Sequence, residues 1–248
     1  MTGAARAVTV AGVPGLERRL DALHWPAIER SLDDIGYART EAVLTPDECA
    51  ELVALYPRDD RFRSRIDMAR YRFGEGDYKY FAAPLPPVVT TLRTRLYPPL
   101  AAIANRWEAA LGARTRFPDA LDGLLARCAA HGQTKPTPLL LHYEAGGYNC
   151  LHQDLYGDVA FPLQVTAFLS RRGIDYEGGE FLLVEQRPRA QSRGEAIATD
   201  QGELVIFPTR HRPLAGARGH YRATMRHGVS RITRGARYTL GIIFHDAK

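Results

Sequence analysis

A chain of 248 residues with 45% apolar and 25% charged residues has the balance of an ordinary globular protein, which excludes a disordered or fibrous chain. No apolar run approaches the roughly 18 residues of a membrane span, and MTGAARAVTV at the start lacks the apolar stretch of a secretory leader, so the expected compartment is the cytoplasm with no membrane partner. The net charge of +5 is almost all arginine, as in RDDRFRSRIDMARYRF (58 to 73); it suits a polyanion such as nucleic acid and equally suits a solvated surface. Cys49, Cys128 and Cys150 stand in no metal-ligand spacing and read as reduced packing residues.

Leu16, Leu20, Leu23, Ile28, Leu32 and Ile35 fall near helical spacing, interrupted by Pro26, and predict two short helices or one kinked helix over 16 to 35. Thr45, Pro46 and Glu48 form a helix start, with a hydroxyl cap, a first-turn proline and a glutamate three residues on; that helix should run to about Tyr56. Leu92, Leu96, Leu100, Ile103, Trp107 and Leu111 lay one apolar stripe along a longer helix.

After KPTP (135 to 138) the pattern changes to short runs, LLLHY (139 to 143), LQVTAFLS (163 to 170), EFLLVE (180 to 185), ELVIFP (203 to 208) and RYTLGIIFH (237 to 245). Gly, Pro and Asp clusters separate them, the pattern of a β-barrel or sandwich. The fold class expected is α+β, with a mainly helical elaboration over 1–135 packed on one sheet of a β-rich core over 136–248. The segment from 186 to 202 reads as a mobile loop.

His152 and Asp154 form an H-x-D at the end of a strand-like run, where alternate residues project to one side and can meet one ion. His227 is the candidate third ligand, brought back by the β-fold. Two histidines and one carboxylate on one face of an octahedral metal leave open positions, which suits non-haem iron(II) and O2 chemistry. Arg237 follows on a strand whose neighbours Leu240, Ile242 and Ile243 suggest burial, and a buried guanidinium needs an anion.

The set HQD, GGEF (178 to 181) and HGVSRITRGARYTLGIIF (227 to 244) resembles the iron(II) and 2-oxoglutarate dependent dioxygenase superfamily. LLLHYEAGGYNCLHQDLYGD (139 to 158), GGEFLLVEQRPR (178 to 189) and LGIIFHDA (240 to 247) are similar to a bacterial branch described as oxygenases acting on damaged DNA. The resemblance implies a double-stranded β-helix, or jelly-roll, for the core. It implies iron bound by His152, Asp154 and His227, a 2-oxoglutarate co-substrate whose distal carboxylate meets Arg237, and O2 as oxidant, with ascorbate left open as an accessory. Tyr143 is similar to a tyrosine that assists the same carboxylate, and it reads equally as a core aromatic. Gly178 and Gly179 match a turn between core strands.

Three substrates fit. An alkylated nucleic-acid base would use RYRFGEGDYKYF (70 to 81) for stacking and phosphate contact, although an AlkB-like enzyme carries a second arginine where this chain has Ile243. A peptidyl-proline substrate is suggested by the short His227 to Arg237 spacing, and would lie between Tyr156 and 209 to 222. A small anionic metabolite would use TRHRPLAGARGHYR (209 to 222) as a basic pocket. Tyr156, Asn149, Arg212 and Arg222 are the candidate substrate contacts by proximity to the motifs. A non-catalytic, cupin-like binding protein is the reading outside enzymes, and the helical half offers a dimer surface.

Overall fold

The computed structural model describes residues 13–217 and 219–248, so the reading of the first ten residues lies outside the described part. Two helices open it, α1 (Pro14–Asp21) and α2 (Trp25–Asp34); Pro26 sits in the first turn of the second, where its missing N–H costs nothing. After β1 (Ala38–Arg39), α3 (Pro46–Ala54) starts with the capping box read from sequence: the Glu48 N–H donates to the Thr45 hydroxyl and the Thr45 N–H to the Glu48 carboxylate. α4 (Pro87–Ala110) buries the stripe Leu92, Leu96, Leu100, Ile103 and Trp107, and α5 (Leu121–Ala130) follows.

Three strands lie between α3 and α4: β2 (Phe62–Asp67), β3 (Gly74–Glu75) and β4 (Asp77–Phe81). The rest of the chain supplies β5 (Leu139–Glu144), β6 (Tyr148–His152), β7 (Leu163–Phe168), β8 (Tyr176–Gly178), β9 (Phe181–Gln186), β10 (Arg193–Ile197), β11 (Leu204–Pro208), β12 (His211–Gly216), β13 (Gly219–Val229) and β14 (Ile232–Ile242). They form two antiparallel sheets. The major one runs β1-β11-β7-β14-β5-β4-β2, with β8 also on β14; the minor one runs β10-β9-β13-β6-β3, with β12 also on β13. This is the expected α+β jelly-roll.

The segment up to 135 is mainly helical and also supplies β1 to β4, which extend both sheets. One reading of the sequence needs correction. The segment 186 to 202, read as a loop, holds β10 paired antiparallel with β9. The outer strands β1, β2, β3 and β10 were hidden because edge strands face water on one side and carry Gly and charge instead of an apolar alternation.

Alternation fixes which sheet face does what. In β7, Leu163, Val165 and Ala167 point out into the main apolar core beneath the helices, joined there by Leu240, Ile242 and Phe244 around β14 and by Leu96, Leu100 and Trp107 of α4. The intervening residues Gln164, Thr166, Arg237, Thr239 and Gly241 face the space between the sheets.

On the far side of the minor sheet, Arg212 of β12 is wholly buried, 2.6 Å from the Glu185 carboxylate, and donates to the Asp33 carbonyl at 2.6 Å, tying α2 to the sheet. Removing one partner of a buried pair strands the other charge, so Arg212→Ala should lower the free energy of unfolding by about 3–5 kcal/mol, read from a urea midpoint. The buried His245 accepts the Phe161 N–H through Nδ1 at 3.1 Å, and burial pushes it from 6.5 down to about 4. Between those values the unfolded chain binds the extra proton, so the stability present above pH 6.5 falls as pH drops toward 4. The loss should reach about 3 kcal/mol, and His245→Asn should flatten that limb of the pH–stability curve.

Candidate active site

The site is built on the pairing of β6 with β13, whose register sets His152 directly opposite His227, with ring centroids 4.2 Å apart. Gly228 makes that approach feasible, because a Cβ there would lie 2.6 Å from the Asn149 carbonyl oxygen. Asp154 follows just past the end of β6. Its Oδ2 is 3.2 Å from His227 Nε2 and its Oδ1 is 3.6 Å from His152 Nε2. One donor atom from each of the three lies within 4.8 Å of the others, the spacing of a set that can close on a single ion.

The surroundings prepare these donors. The Nδ1 of His152 bonds the Cys150 carbonyl at 2.8 Å, which leaves Nε2 free to face the site. His227 is packed between Phe181 and Phe207, at centroid distances of 5.9 and 4.8 Å. Burial, then the neighbouring His227, pushes His152 below the ordinary histidine value and outweighs the pull of Asp154. For Asp154, burial acts upward but is overcome by His227, His152 and the Tyr156 hydroxyl, which hold the carboxyl well below the usual range. A neutral imidazole beside a carboxylate is the protonation state a cation requires.

A cavity of ≈ 370 Å³ runs from these residues to Arg237. Arg237 is 1% exposed, with its guanidinium carbon 5.2 to 5.8 Å from the rings of Phe168, Tyr143 and Tyr176, and among the described residues none of its three nitrogens has a hydrogen-bond partner. Gly179 makes room for it: the residue has φ +63°, and a Cβ there would lie 3.1 Å from Arg237 Cδ. A guanidinium stays charged when buried, so this one demands an anion. Tyr143 is buried beside it; burial pushes its hydroxyl up to about 12, and that hydroxyl accepts from Asn149 Nδ2 at 3.2 Å.

Of the candidate substrate contacts, Asn149 and Tyr156 line the cavity, and the Tyr156 hydroxyl donates to Asp154. Arg212 and Arg222 are corrections. Arg212 points to the opposite face of its strand, into the pair with Glu185, and Arg222 is exposed on β13 outside the cavity, so no basic pocket forms from 209 to 222 among the described residues. Gln164, Thr166 and Thr239 were missed. The signal was present: polar residues at 164 and 166 inside an otherwise apolar strand mark a face turned toward something polar. At the mouth, Phe73 and Leu151 are exposed, and Tyr71 stacks on Phe73 at 5.6 Å.

A family of oxygenases described as catalysing oxidative methylation of damaged DNA matches residues 76–247. Proteins of two Mycobacterium tuberculosis strains, CDC 1551 / Oshkosh and ATCC 25618 / H37Rv, each named only as uncharacterized, are 53% identical over 167 residues, 67% of this chain and 72% of their own length. Among solved structures, a Burkholderia pseudomallei oxidoreductase of the 2OG-Fe(II) oxygenase family aligns with a TM-score of 0.54 at 14% identity, covering 91% of this chain and 93% of its own. A Pseudomonas putida prolyl-4-hydroxylase aligns at 0.51 and 15%, covering 90% of this chain and all of its own. At such identities the structural likeness speaks for the fold.

The unpartnered guanidinium gives a direct expectation. Arg237→Met removes a buried charge without a counter-ion, so the ligand-free protein should melt higher than wild type, while the rise in melting temperature produced by a small dicarboxylate should disappear; thermal shift with and without 2-oxoglutarate reads both.

Proposed function

We propose that this chain, which belongs to the family of oxygenases described as catalysing oxidative methylation of damaged DNA, is an iron(II) and 2-oxoglutarate dependent dioxygenase that oxidises an alkyl group on a damaged nucleic-acid base. The observation that carries the reading is the buried Arg237, without a hydrogen-bond partner among the described residues, in the same cavity as the His152, Asp154 and His227 cluster. A two-histidine, one-carboxylate set suits iron(II), and a cation at the other end of the cavity suits a diacid that must both meet the metal and be anchored away from it. When bound, iron(II) with 2-oxoglutarate and O2 supplies an oxidising equivalent for a substrate C–H bond and releases succinate and CO2.

The residues of the chain do the rest. His152, Asp154 and His227 hold the ion, and Arg237, with the Tyr143 hydroxyl nearby, holds the distal carboxylate. The apolar walls Phe181, Phe207 and Val229 keep water from the oxidising centre. At the mouth, Tyr71 and Phe73 are 49% and 47% exposed, with the Arg70 guanidinium 5.8 Å from the Tyr71 ring centre and Arg72 on the cavity lining. Aromatic faces beside arginines are what an unstacked base and its phosphates require. A hydroxylated N-methyl group leaves its nitrogen as formaldehyde, so a base oxidised in this way is restored.

The ten-residue step from His227 to Arg237 favours a peptide as the second reading. Succinate release measured with an N-methylated oligonucleotide, with a proline-containing peptide and with neither should be raised by the oligonucleotide and fall to the enzyme-free background in His152→Ala and Asp154→Ala. Stimulation by the peptide alone would move the substrate to the second reading. Equal turnover in Asp154→Ala would remove the metal assignment.

A further inference from the structure

Tyr156 stands two residues beyond Asp154, on the stretch that leaves β6. Its hydroxyl donates to Asp154 Oδ1 at 2.7 Å, while Oδ2 of the same carboxylate is the oxygen that lies 3.2 Å from His227 Nε2. Both oxygens border the cluster, Oδ1 lying 3.6 Å from His152 Nε2, and Oδ1 is the one that also carries the phenol's hydrogen bond.

The ring is held from several sides. Tyr80 meets it edge-on at 6.2 Å, and His245 lies at 6.1 Å. The backbone is pinned by Gln133, which is wholly buried: its Oε1 accepts the Val159 N–H at 2.8 Å, and its Nε2 donates to the carbonyls of Val159 at 2.9 Å and Asp246 at 2.6 Å. Gly157, at φ +148°, runs so close to this amide that a Cβ would lie 2.4 Å from Gln133 Cδ. The loop thus fixes where the phenol hydroxyl sits.

We propose that Tyr156 is a positioning residue that occupies Asp154 Oδ1 and confines the carboxylate to ligating a metal through Oδ2 alone. The proposal rests on the iron and 2-oxoglutarate reading above and specifies how that site keeps its open positions. An octahedral ion with three protein ligands retains three positions, and a keto acid bound through two oxygens leaves a single one for a gas. A carboxylate that swings to chelate through both oxygens takes that last position. A hydrogen-bond donor locked on one oxygen prevents the swing, and it also fixes the direction from which the other oxygen approaches the ion.

The test compares the full-length protein with Tyr156→Phe, which keeps the ring and removes only the hydroxyl. Metal-free protein is titrated anaerobically with Mn(II), followed by the paramagnetic resonance of the free ion. Separately, protein saturated with Fe(II) and 2-oxoglutarate is exposed to nitric oxide, a stand-in for O2 whose complex with Fe(II) has its own resonance signal. In wild type, Mn(II) binds and the nitric oxide signal develops fully. In Tyr156→Phe, affinity for Mn(II) should fall by roughly 10–100-fold, the usual effect of losing a group that orients a ligand. Its nitric oxide signal should be several-fold weaker even at metal saturation. A full nitric oxide signal in metal-saturated Tyr156→Phe would overturn the proposal whatever its Mn(II) affinity. A wild type that binds no Mn(II) would overturn the iron reading along with it.

Discussion

Everything in this molecule depends on the major sheet having two unlike faces. A strand sends successive side chains to opposite sides, so one sequence can write two programmes at once. In β7 the residues Leu163, Val165 and Ala167 hold the helices, and Gln164 and Thr166 between them line a cavity. β14 repeats the arrangement, with Leu240 and Ile242 outward and Arg237 and Thr239 inward. The helical layer supplies the apolar burial that holds this sheet in place, which leaves the inner face free to carry polar groups that would weaken an ordinary sandwich core.

The minor sheet contributes the other half of the chemistry. Its register, not its composition, brings His152 to His227, and a one-residue slip would turn one imidazole to the opposite face. Two glycines permit the close approaches on which the site relies, Gly228 where β13 passes the Asn149 carbonyl and Gly179 beside the arginine side chain. The metal-binding candidates and the anion-binding candidate thus belong to different sheets and meet only because the two sheets pack face to face.

Much of this was legible in the chain. The capping box at Thr45, the apolar stripe of α4 and the β-runs from 139 onward carry strong local signals, and the structure has them. The H-x-D and His227 were readable as a set, and the structure brings them together. Edge strands were not readable, because β3 and β10 gain their shape from a neighbour and carry little pattern of their own. Facing was the harder loss. Arg212 and Arg237 are both arginines in apolar strands, yet one closes on Glu185 and the other opens on the cavity; the sequence holds the alternation but not its phase relative to the core. Tyr156 was singled out for its nearness to the motif, and only the fold shows that its hydroxyl bonds Asp154.

The lone guanidinium of Arg237 has a further consequence, outside catalysis. Among the described residues this buried charge has no counter-ion, and any ligand that supplied one would stabilise the folded state in proportion to the logarithm of its concentration over its dissociation constant. An anion held there would therefore act on the lifetime of the folded chain as well as on its chemistry, since proteolysis acts on the population that opens.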